Sequence, residues 1–130
     1  MRPKPEALAS VPLFAALEPA ELTRVSGWME TRQADAGDRL VIEGATGYSF
    51  FVLQEGTAAV TKDGEEIATL GPGDFFGELA LTGEGRRTAT VTATSRATLA
   101  AMFGSQFRLL ESELPDTADL IKRAAAERLG

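Results

Sequence analysis

The chain has 130 residues, enough for one domain, with no cysteine, no histidine and a formal net charge of −6. Disulfides and thiolate metal sites are therefore excluded, and the usual general base and commonest transition-metal ligand are missing, so we expect no metal. The acidic balance argues against a nucleic-acid partner, because DNA-binding surfaces gain affinity from clustered Lys and Arg.

The N-terminal residues 1–9 are rich in proline and charge, and we expect them to form a flexible segment. They lack the apolar run of a signal peptide, and no run elsewhere approaches membrane-spanning length, so we expect a cytoplasmic protein without direct membrane insertion. Residues 10–29 have a helical pattern. It predicts a helix that begins near Pro19 and turns Leu22 and Val25 toward a core.

Residues 30–103 consist of short β-rich runs that are separated by glycine-containing turns. This spacing predicts a sandwich or barrel of about eight antiparallel strands, and not a parallel sheet with crossover helices. Asp63-Gly64 predicts a type I′ hairpin turn. Gly71-Pro72-Gly73-Asp74 predicts a tight turn that leads directly into residues 75–91.

The pattern becomes helical again after the β-rich region, over residues 105–129. Ser105 is a candidate N-cap for a helix that ends near Glu113, and Pro115 breaks that helix and opens the last one. The apolar stripe of the last helix is narrow and rich in alanine, so it buries little area. We therefore expect this helix to dock conditionally, as a lid does.

The stretch over residues 75–91 carries the strongest chemical signal. Gly77 precedes a predicted one-turn helix whose first N–H groups lack intrahelical acceptors, which favours an anion there. Arg87 could close such a site with a planar pair of charge-assisted hydrogen bonds. Because Glu78 would repel a bare phosphate, the ligand must also offer hydroxyl donors, as a sugar phosphate does. Flanking apolar residues predict a wall for a flat ring, and together these features indicate a nucleotide.

The sequence Phe-Gly-Glu-Leu-Ala-Leu at residues 76–81, followed by Arg-Thr-Ala-Thr-Val at residues 87–91, resembles the phosphate-binding cassette of the cyclic nucleotide-binding domain family. That family includes cAMP-dependent kinase regulatory subunits, bacterial catabolite-type regulators and cyclic-nucleotide-gated channels. The resemblance covers nearly the whole chain. It implies a domain over residues 10–130, with N-terminal helices over 10–29, a double-stranded β-helix (a jelly-roll-like β-roll) over 30–103, and C-terminal lid helices.

The resemblance also implies roles for individual residues. Glu78 is expected to accept the ribose 2′-hydroxyl and Arg87 to bind the phosphate, while backbone N–H groups on the cassette helix contact both. The terminal helix places Arg128 where some family members have an arginine over the purine; the alternative is a cation that complements the helix dipole. The predicted ligand-binding residues are Gly77, Glu78, Leu79, Ala80, Arg87, Thr88, Ala89 and Arg128.

The identity of the base is left open by the residues. The hydroxyl of Thr88 can bond the phosphate and, with a syn purine, the guanine 2-amino group, so cGMP is a candidate. We favour cAMP, because channel-like relatives with threonine or serine at this position bind it. Apart from this ligand we expect no cofactor.

The expected function is that of a non-catalytic sensor that signals by moving its C-terminal helix, through a protein effector or a parent chain. Two other functions are possible. Asp74 and Glu78 could hydrolyse a phosphodiester, although the absence of histidine, cysteine and a metal cluster disfavours this. Alternatively, the chain could be a degenerate module of the same fold that binds no nucleotide.

Overall fold

The computed structural model describes residues 3, 5–9, 11, 14–15, 17–42, 49–76 and 89–129, of which residues 5, 49 and 124–129 are described by their backbone alone. Four helices lie in these ranges: α1 (Pro5–Ala9), α2 (Pro19–Gly27), α3 (Gly104–Glu113) and α4 (Pro115–Leu129). The eight strands there are β1 (Glu30–Ala34), β2 (Arg39–Val41), β3 (Ser49–Glu55), β4 (Ala58–Lys62), β5 (Glu65–Leu70), β6 (Phe75–Phe76), β7 (Thr90–Ala93) and β8 (Ala97–Phe103).

The strands form two four-stranded antiparallel sheets, one in the order β1-β8-β3-β6 and the other in the order β2-β7-β4-β5. Strands that are distant in the chain are neighbours in both sheets. The expected mainly β fold, with about eight antiparallel strands and helices at both ends, is therefore confirmed. None of the helices in the described ranges is long and apolar enough to cross a bilayer.

The first sheet separates two apolar cores. Along β8 the side chains alternate, so Leu99 enters the core between the sheets while Ala100 enters the core under the helices. Their partners on β3, Leu53 and Val52, follow the same alternation. A strand that is buried on both faces needs apolar residues at successive positions, which explains the near-continuous apolar run of β8.

We call these two clusters the inter-sheet core and the helix core. The inter-sheet core consists of Ala34, Val41, Leu53, Ala58, Leu70, Phe76, Val91, Ala93, Ala97 and Leu99. The helix core consists of Leu8, Val11, Phe14, Leu17, Leu22, Val25, Met29, Phe50, Val52, Phe75, Ala100, Met102, Phe107, Leu110, Ala118 and Ile121.

The N-terminus differs from the flexible segment that its composition predicts. Residues Pro5–Ala9 form α1, and the side chain of Leu8 is 0% exposed in the helix core. Val11 and Phe14 follow at intervals of three residues and are buried in the same core. The burial of these three side chains outweighs the effect of proline and charge on the local chain.

The two predicted β-turns are confirmed. Asp63 and Gly64 have φ angles of 52° and 82°, which are the left-handed values that a type I′ turn requires at both central positions. In the second turn the Asp74 N–H donates to the Gly71 carbonyl at 3.1 Å, and the Gly71 N–H donates to Asp74 Oδ2 at 2.8 Å. These hydrogen bonds fix the direction in which the chain enters β6.

The helix boundaries at prolines are also as predicted: Pro19 begins α2 and Pro115 begins α4. The predicted N-cap of α3 is wrong. The helix begins at Gly104, and its N-cap is Phe103, whose N–H donates to Gln106 Oε1 at 2.8 Å. A glutamine three positions after the cap satisfies this donor, so a Ser105 cap is not needed.

Candidate functional site

The structure describes a minority of the predicted ligand-binding residues. Ala89 is half-buried next to β7, and Arg128 lies in α4, where its backbone alone is described. The other six predicted residues, Gly77, Glu78, Leu79, Ala80, Arg87 and Thr88, lie outside the described residues. The site is therefore built here from the elements on either side of residues 77–88.

The chain enters this segment from β6, which is fixed in both cores. Phe76 stacks on Phe51 in the inter-sheet core, with ring centroids 5.1 Å apart and planes at 20°. Phe75 points into the helix core, where its ring centroid lies 5.9 Å from that of Phe50. Because successive residues on a strand face opposite ways, the strand that leads to Gly77 is anchored in both cores, by Phe75 in one and by Phe76 in the other.

The chain leaves the segment into β7, a central strand of the second sheet. Val91 pairs with Val41 on one side and with Val60 on the other, and it is buried in the inter-sheet core. Ala89 precedes β7 directly, in a bend, and its side chain is half-buried. The strands on either side of residues 77–88 therefore both contribute to the inter-sheet core, β6 from the first sheet and β7 from the second.

The part of the inter-sheet core closest to this segment is incompletely covered. Leu40, Phe51 and Val60 pack against the core but stay partly exposed, and the register places them beside Val91 and Phe76. The next row of the second sheet inward contains the small side chains of Ala58 and Ala93 beside the buried Leu70. We call Leu40, Phe51 and Val60 the apolar rim. A rim of this kind can accept a flat, poorly solvated ring.

A β-bulge lies beside the rim, in the β4–β5 hairpin. The register shifts between Val60 and Thr61, which leaves Ile67 as the extra residue on β5. The side chain of Ile67 is 57% exposed. It adds apolar surface to the same hairpin that carries Val60.

The polar groups near the segment do not form a catalytic cluster in the described residues. The Asp74 carboxylate, a candidate for phosphodiester hydrolysis, closes the turn before β6 by accepting the Gly71 N–H at 2.8 Å. No group of three or more histidines, cysteines or carboxylates able to hold a metal ion exists within the described ranges.

Sequence reasoning missed a polar contact between α2 and α4. Glu21 Oε1 accepts the N–H of Glu18 at 3.0 Å, and Glu21 Oε2 accepts the hydroxyl of Thr117, a residue that is 1% exposed. The partners are 96 positions apart, so no local pattern could predict the contact. The Thr117 hydroxyl, and after it the Glu18 N–H, hold the pKa of Glu21 below its ordinary value of 4.5.

This shift predicts how stability depends on pH. Because the folded-state pKa is lowered, Glu21 contributes stability above its unfolded pKa, and the contribution is lost as pH falls through the folded pKa. Glu21→Gln removes the charge, while its amide oxygen can still accept the Glu18 N–H and its amide N–H can donate to the Thr117 oxygen. We expect the variant to lose less stability than the wild type as the pH falls from about 4.5 to below the folded-state pKa of Glu21, as measured by urea unfolding. Equal losses would contradict this role of Glu21.

The first turns of α4 are packed firmly. Ala118 and Ile121 are buried in the helix core, in which Leu22 and Val25 of α2 also lie, and Leu114 packs against it. The apolar stripe that was expected to dock conditionally is thus buried at Ala118 and Ile121 and partly buried at Leu114. The structure leaves the side chains after Arg123 undescribed, and the remaining stripe positions lie there.

Comparisons with known proteins agree with this geometry. A sequence model described as "Cyclic nucleotide-binding domain" matches residues 31–112. The cAMP-dependent protein kinase regulatory subunit of Hypocrea atroviridis is 39% identical over 103 residues, which are 79% of this chain and 22% of that protein. A cyclic nucleotide-gated potassium channel of Rhizobium etli is 34% identical over 123 residues, 95% of this chain and 34% of the channel.

A solved structure gives the same picture at the level of the fold. The regulatory domain of Toxoplasma gondii PKA, in a co-crystal with cAMP, superposes with a TM-score of 0.81 at 29% identity, and the match covers 95% of this chain and 48% of that one. The present chain spans between about a fifth and a third of the length of the two curated relatives named above. The similarity therefore concerns one domain of larger proteins.

Proposed function

Because the chain belongs to the cyclic nucleotide-binding domain family, we propose that it is a non-catalytic sensor that binds a 3′,5′-cyclic nucleotide, with cAMP as the preferred ligand. One observation carries the proposal. Both ends of residues 77–88 are fixed in the inter-sheet core beside the partly exposed apolar rim. This segment contains the glycine, carboxylate and arginine that a cyclic sugar phosphate needs.

The phosphate and ribose are assigned to the segment itself. We assign the phosphate to Arg87, the residue to which the resemblance to the phosphate-binding cassette gives this role. Its guanidinium would offer two parallel N–H donors to the phosphate oxygens. Glu78 would accept the ribose 2′-hydroxyl, while the N–H groups of Gly77, Leu79 and Ala80 and the Thr88 hydroxyl complete the polar contacts.

The base is assigned to the apolar rim. Leu40, Phe51 and Val60 are partly exposed where the segment leaves the core, and Ile67 adds apolar surface in the same hairpin. Covering these side chains with a purine would remove apolar area from water, at roughly 25 cal/mol for each Å². Two similar proteins, a cAMP-dependent protein kinase regulatory subunit and a regulatory domain crystallised with cAMP, support adenine as the base.

The signal would pass through β6. A ligand that pulls residues 77–88 inward would shift β6. The shift would change the packing of Phe76 in the inter-sheet core and of Phe75 in the helix core. The helices then shift only if the ligand binds one arrangement more tightly than the other. The relatives are longer than this chain, so the recipient of the signal is a protein effector or the remainder of a longer protein.

Calorimetric titration with cAMP and cGMP in parallel tests the binding proposal. We expect saturable binding of cAMP with a stoichiometry of one, and weaker binding of cGMP. Tighter binding of cGMP would make guanine the preferred base. If neither nucleotide binds at millimolar concentration, the chain is a degenerate module of the fold. Recovery of a hydrolysed nucleotide after the titration would instead establish a catalytic role.

Removing residues 124–130 tests whether the end of α4 covers the ligand. We expect this truncation to weaken cAMP binding while leaving the free energy of unfolding nearly unchanged, because Thr117, Ala118 and Ile121 stay in place. Calorimetry and urea unfolding measure the two quantities. A deletion that begins at Pro115 is the comparison, and it should destabilise the fold because it removes those buried residues. Unchanged affinity after the shorter truncation would exclude the end of α4 from the site.

A further inference from the structure

The helices that follow the β-strands are joined to the helix that precedes them by a closed set of polar contacts. Glu21 on α2 accepts the Thr117 hydroxyl on α4. Arg24 on α2 donates to Glu113 Oε1 on α3 at 2.7 Å. Every pair among α2, α3 and α4 is then linked, because Lys122 on α4 forms an ion pair with Glu111 on α3.

The three contacts differ in how strongly they hold. Arg24 and Glu113 have side chains that are 47% and 49% exposed, and the second ion pair is also partly exposed, so water weakens both. The contact between Glu21 and Thr117 is different, since Thr117 is 1% exposed and has no access to water as a substitute partner. This contact is therefore the one whose loss would leave a buried polar group unsatisfied.

Glu21 is also the point at which two helix starts meet. It lies in the first turn of α2, where its Oε1 accepts the Glu18 N–H, and Thr117 lies in the first turn of α4. A carboxylate is favoured near a helix N-terminus because the unpaired N–H groups there carry partial positive charge. One side chain thus caps α2 and holds the start of α4.

We propose that the Glu21–Thr117 contact is a latch that holds α2, α3 and residues Pro115–Lys122 together as one unit against the first sheet. The expected effect of this latch on ligand binding rests on the proposed function. Phe75, which precedes the cassette, is buried in the same helix core as Leu22 and Ile121. Ligand binding then moves this unit as a whole, and α4 does not swing out at Pro115.

The latch affects affinity because it holds the start of α4 in its docked position before the ligand binds. When the latch is broken, α4 is docked for a smaller fraction of the time. The apparent dissociation constant of a ligand that needs docked α4 rises in inverse proportion to that fraction. A contact with a merely structural role would lower the denaturation midpoint and leave the dissociation constant unchanged.

Thr117→Val tests the latch, since it keeps the shape of the side chain and removes the hydroxyl. We expect cAMP to bind about fivefold more weakly, a typical size for coupling between sites. Thr117→Ser retains the hydroxyl and should restore wild-type affinity. Thr23→Val is the matched control: Thr23 donates its hydroxyl to the Pro19 carbonyl within α2 and makes no link to α4, so affinity should not change.

Hydrogen exchange provides a second measurement that needs no ligand. In Thr117→Val the amides of residues 116–123 should exchange faster than in the wild type and in Thr117→Ser. If Thr117→Val does not fold, Thr117→Ala takes its place. Unchanged affinity and unchanged exchange in Thr117→Val would overturn the latch. Failure of the wild type to bind cAMP would overturn the proposed function alone, and the exchange rates would then decide whether α4 is latched.

Discussion

Arg87→Ala is expected to weaken cAMP binding by about a hundredfold or more, because charge-assisted hydrogen bonds contribute about 1.5–3 kcal/mol each and the guanidinium can donate two. The loss should appear mainly as faster dissociation, since removing a partner from a close charge pair changes the off-rate more than the on-rate. Calorimetry gives the change in affinity, and stopped-flow fluorescence with a labelled nucleotide separates the two rates.

Arg86→Ala is the matched control, because it removes the same charge at the neighbouring position. The resemblance to the phosphate-binding cassette assigns the phosphate to Arg87, so Arg86 should influence the ligand through its long-range field alone. Its effect should be small and should decrease as salt is added, whereas the effect of Arg87→Ala should persist. Equal losses for the two variants would mean that general attraction for an anion, and not a specific phosphate contact, explains binding.

Glu78→Gln extends the test to the ribose. Glutamine keeps an acceptor for the 2′-hydroxyl but loses the negative charge. A loss with cAMP that is absent with 2′-deoxy-cAMP would assign Glu78 to that hydroxyl. If both nucleotides lose the same affinity, Glu78 acts on the cassette itself and does not contact the sugar.

Sequence reasoning predicted features that depend on neighbouring residues. Asp63-Gly64 forms its turn because both positions need positive φ, and Pro19 and Pro115 begin helices because proline has no N–H to leave unsatisfied. The phosphate-binding cassette is predicted in the same way, from a contiguous pattern with an arginine close by, and lies mostly outside the described residues. For these features the deciding interactions lie within a few residues of each other.

The features that sequence reasoning missed depend on packing between distant parts of the chain. The burial of Leu8 depends on a helix core that is completed by α3 and α4, far along the chain. The partners Glu21 and Thr117 are 96 positions apart, and each looks like an ordinary polar residue of a first helical turn. The Phe103 cap is a local feature that was also missed. Phe103 is the N-cap because Gln106 accepts its N–H, and this contact makes a Ser105 cap unnecessary.

The packing of β6 bears on how ligand binding could be transmitted to the helices. Phe75 and Phe76 are adjacent, yet one is buried in the helix core and the other in the inter-sheet core. Both residues belong to β6 and pair with β3, so a displacement of β6 would move both side chains. The proposed site would then be connected to the helices by the two residues before it, without any long chain of contacts.

Gly56→Ala is expected to destabilise the fold by about 3–5 kcal/mol, which combines backbone strain with overpacking of a rigid neighbour. Gly56 joins β3 to β4 with φ of 92°, and a Cβ there would lie 2.4 Å from the carbonyl oxygen of Arg96 and 2.8 Å from Cα of Ala97. Both are backbone atoms, so they cannot rotate away. Urea unfolding measures the change.

Gly64→Ala separates the two causes. Gly64 also has positive φ, 82°, but a Cβ there would meet nothing within 4 Å, so the variant carries the backbone strain without the overlap. We expect it to cost about 1 kcal/mol. The difference between the two variants is then the energy of the close approach between Gly56 and the β7–β8 connection. If both variants lose the same stability, the neighbouring backbone moves aside at no cost, and the close approach does not contribute to the stability of the fold.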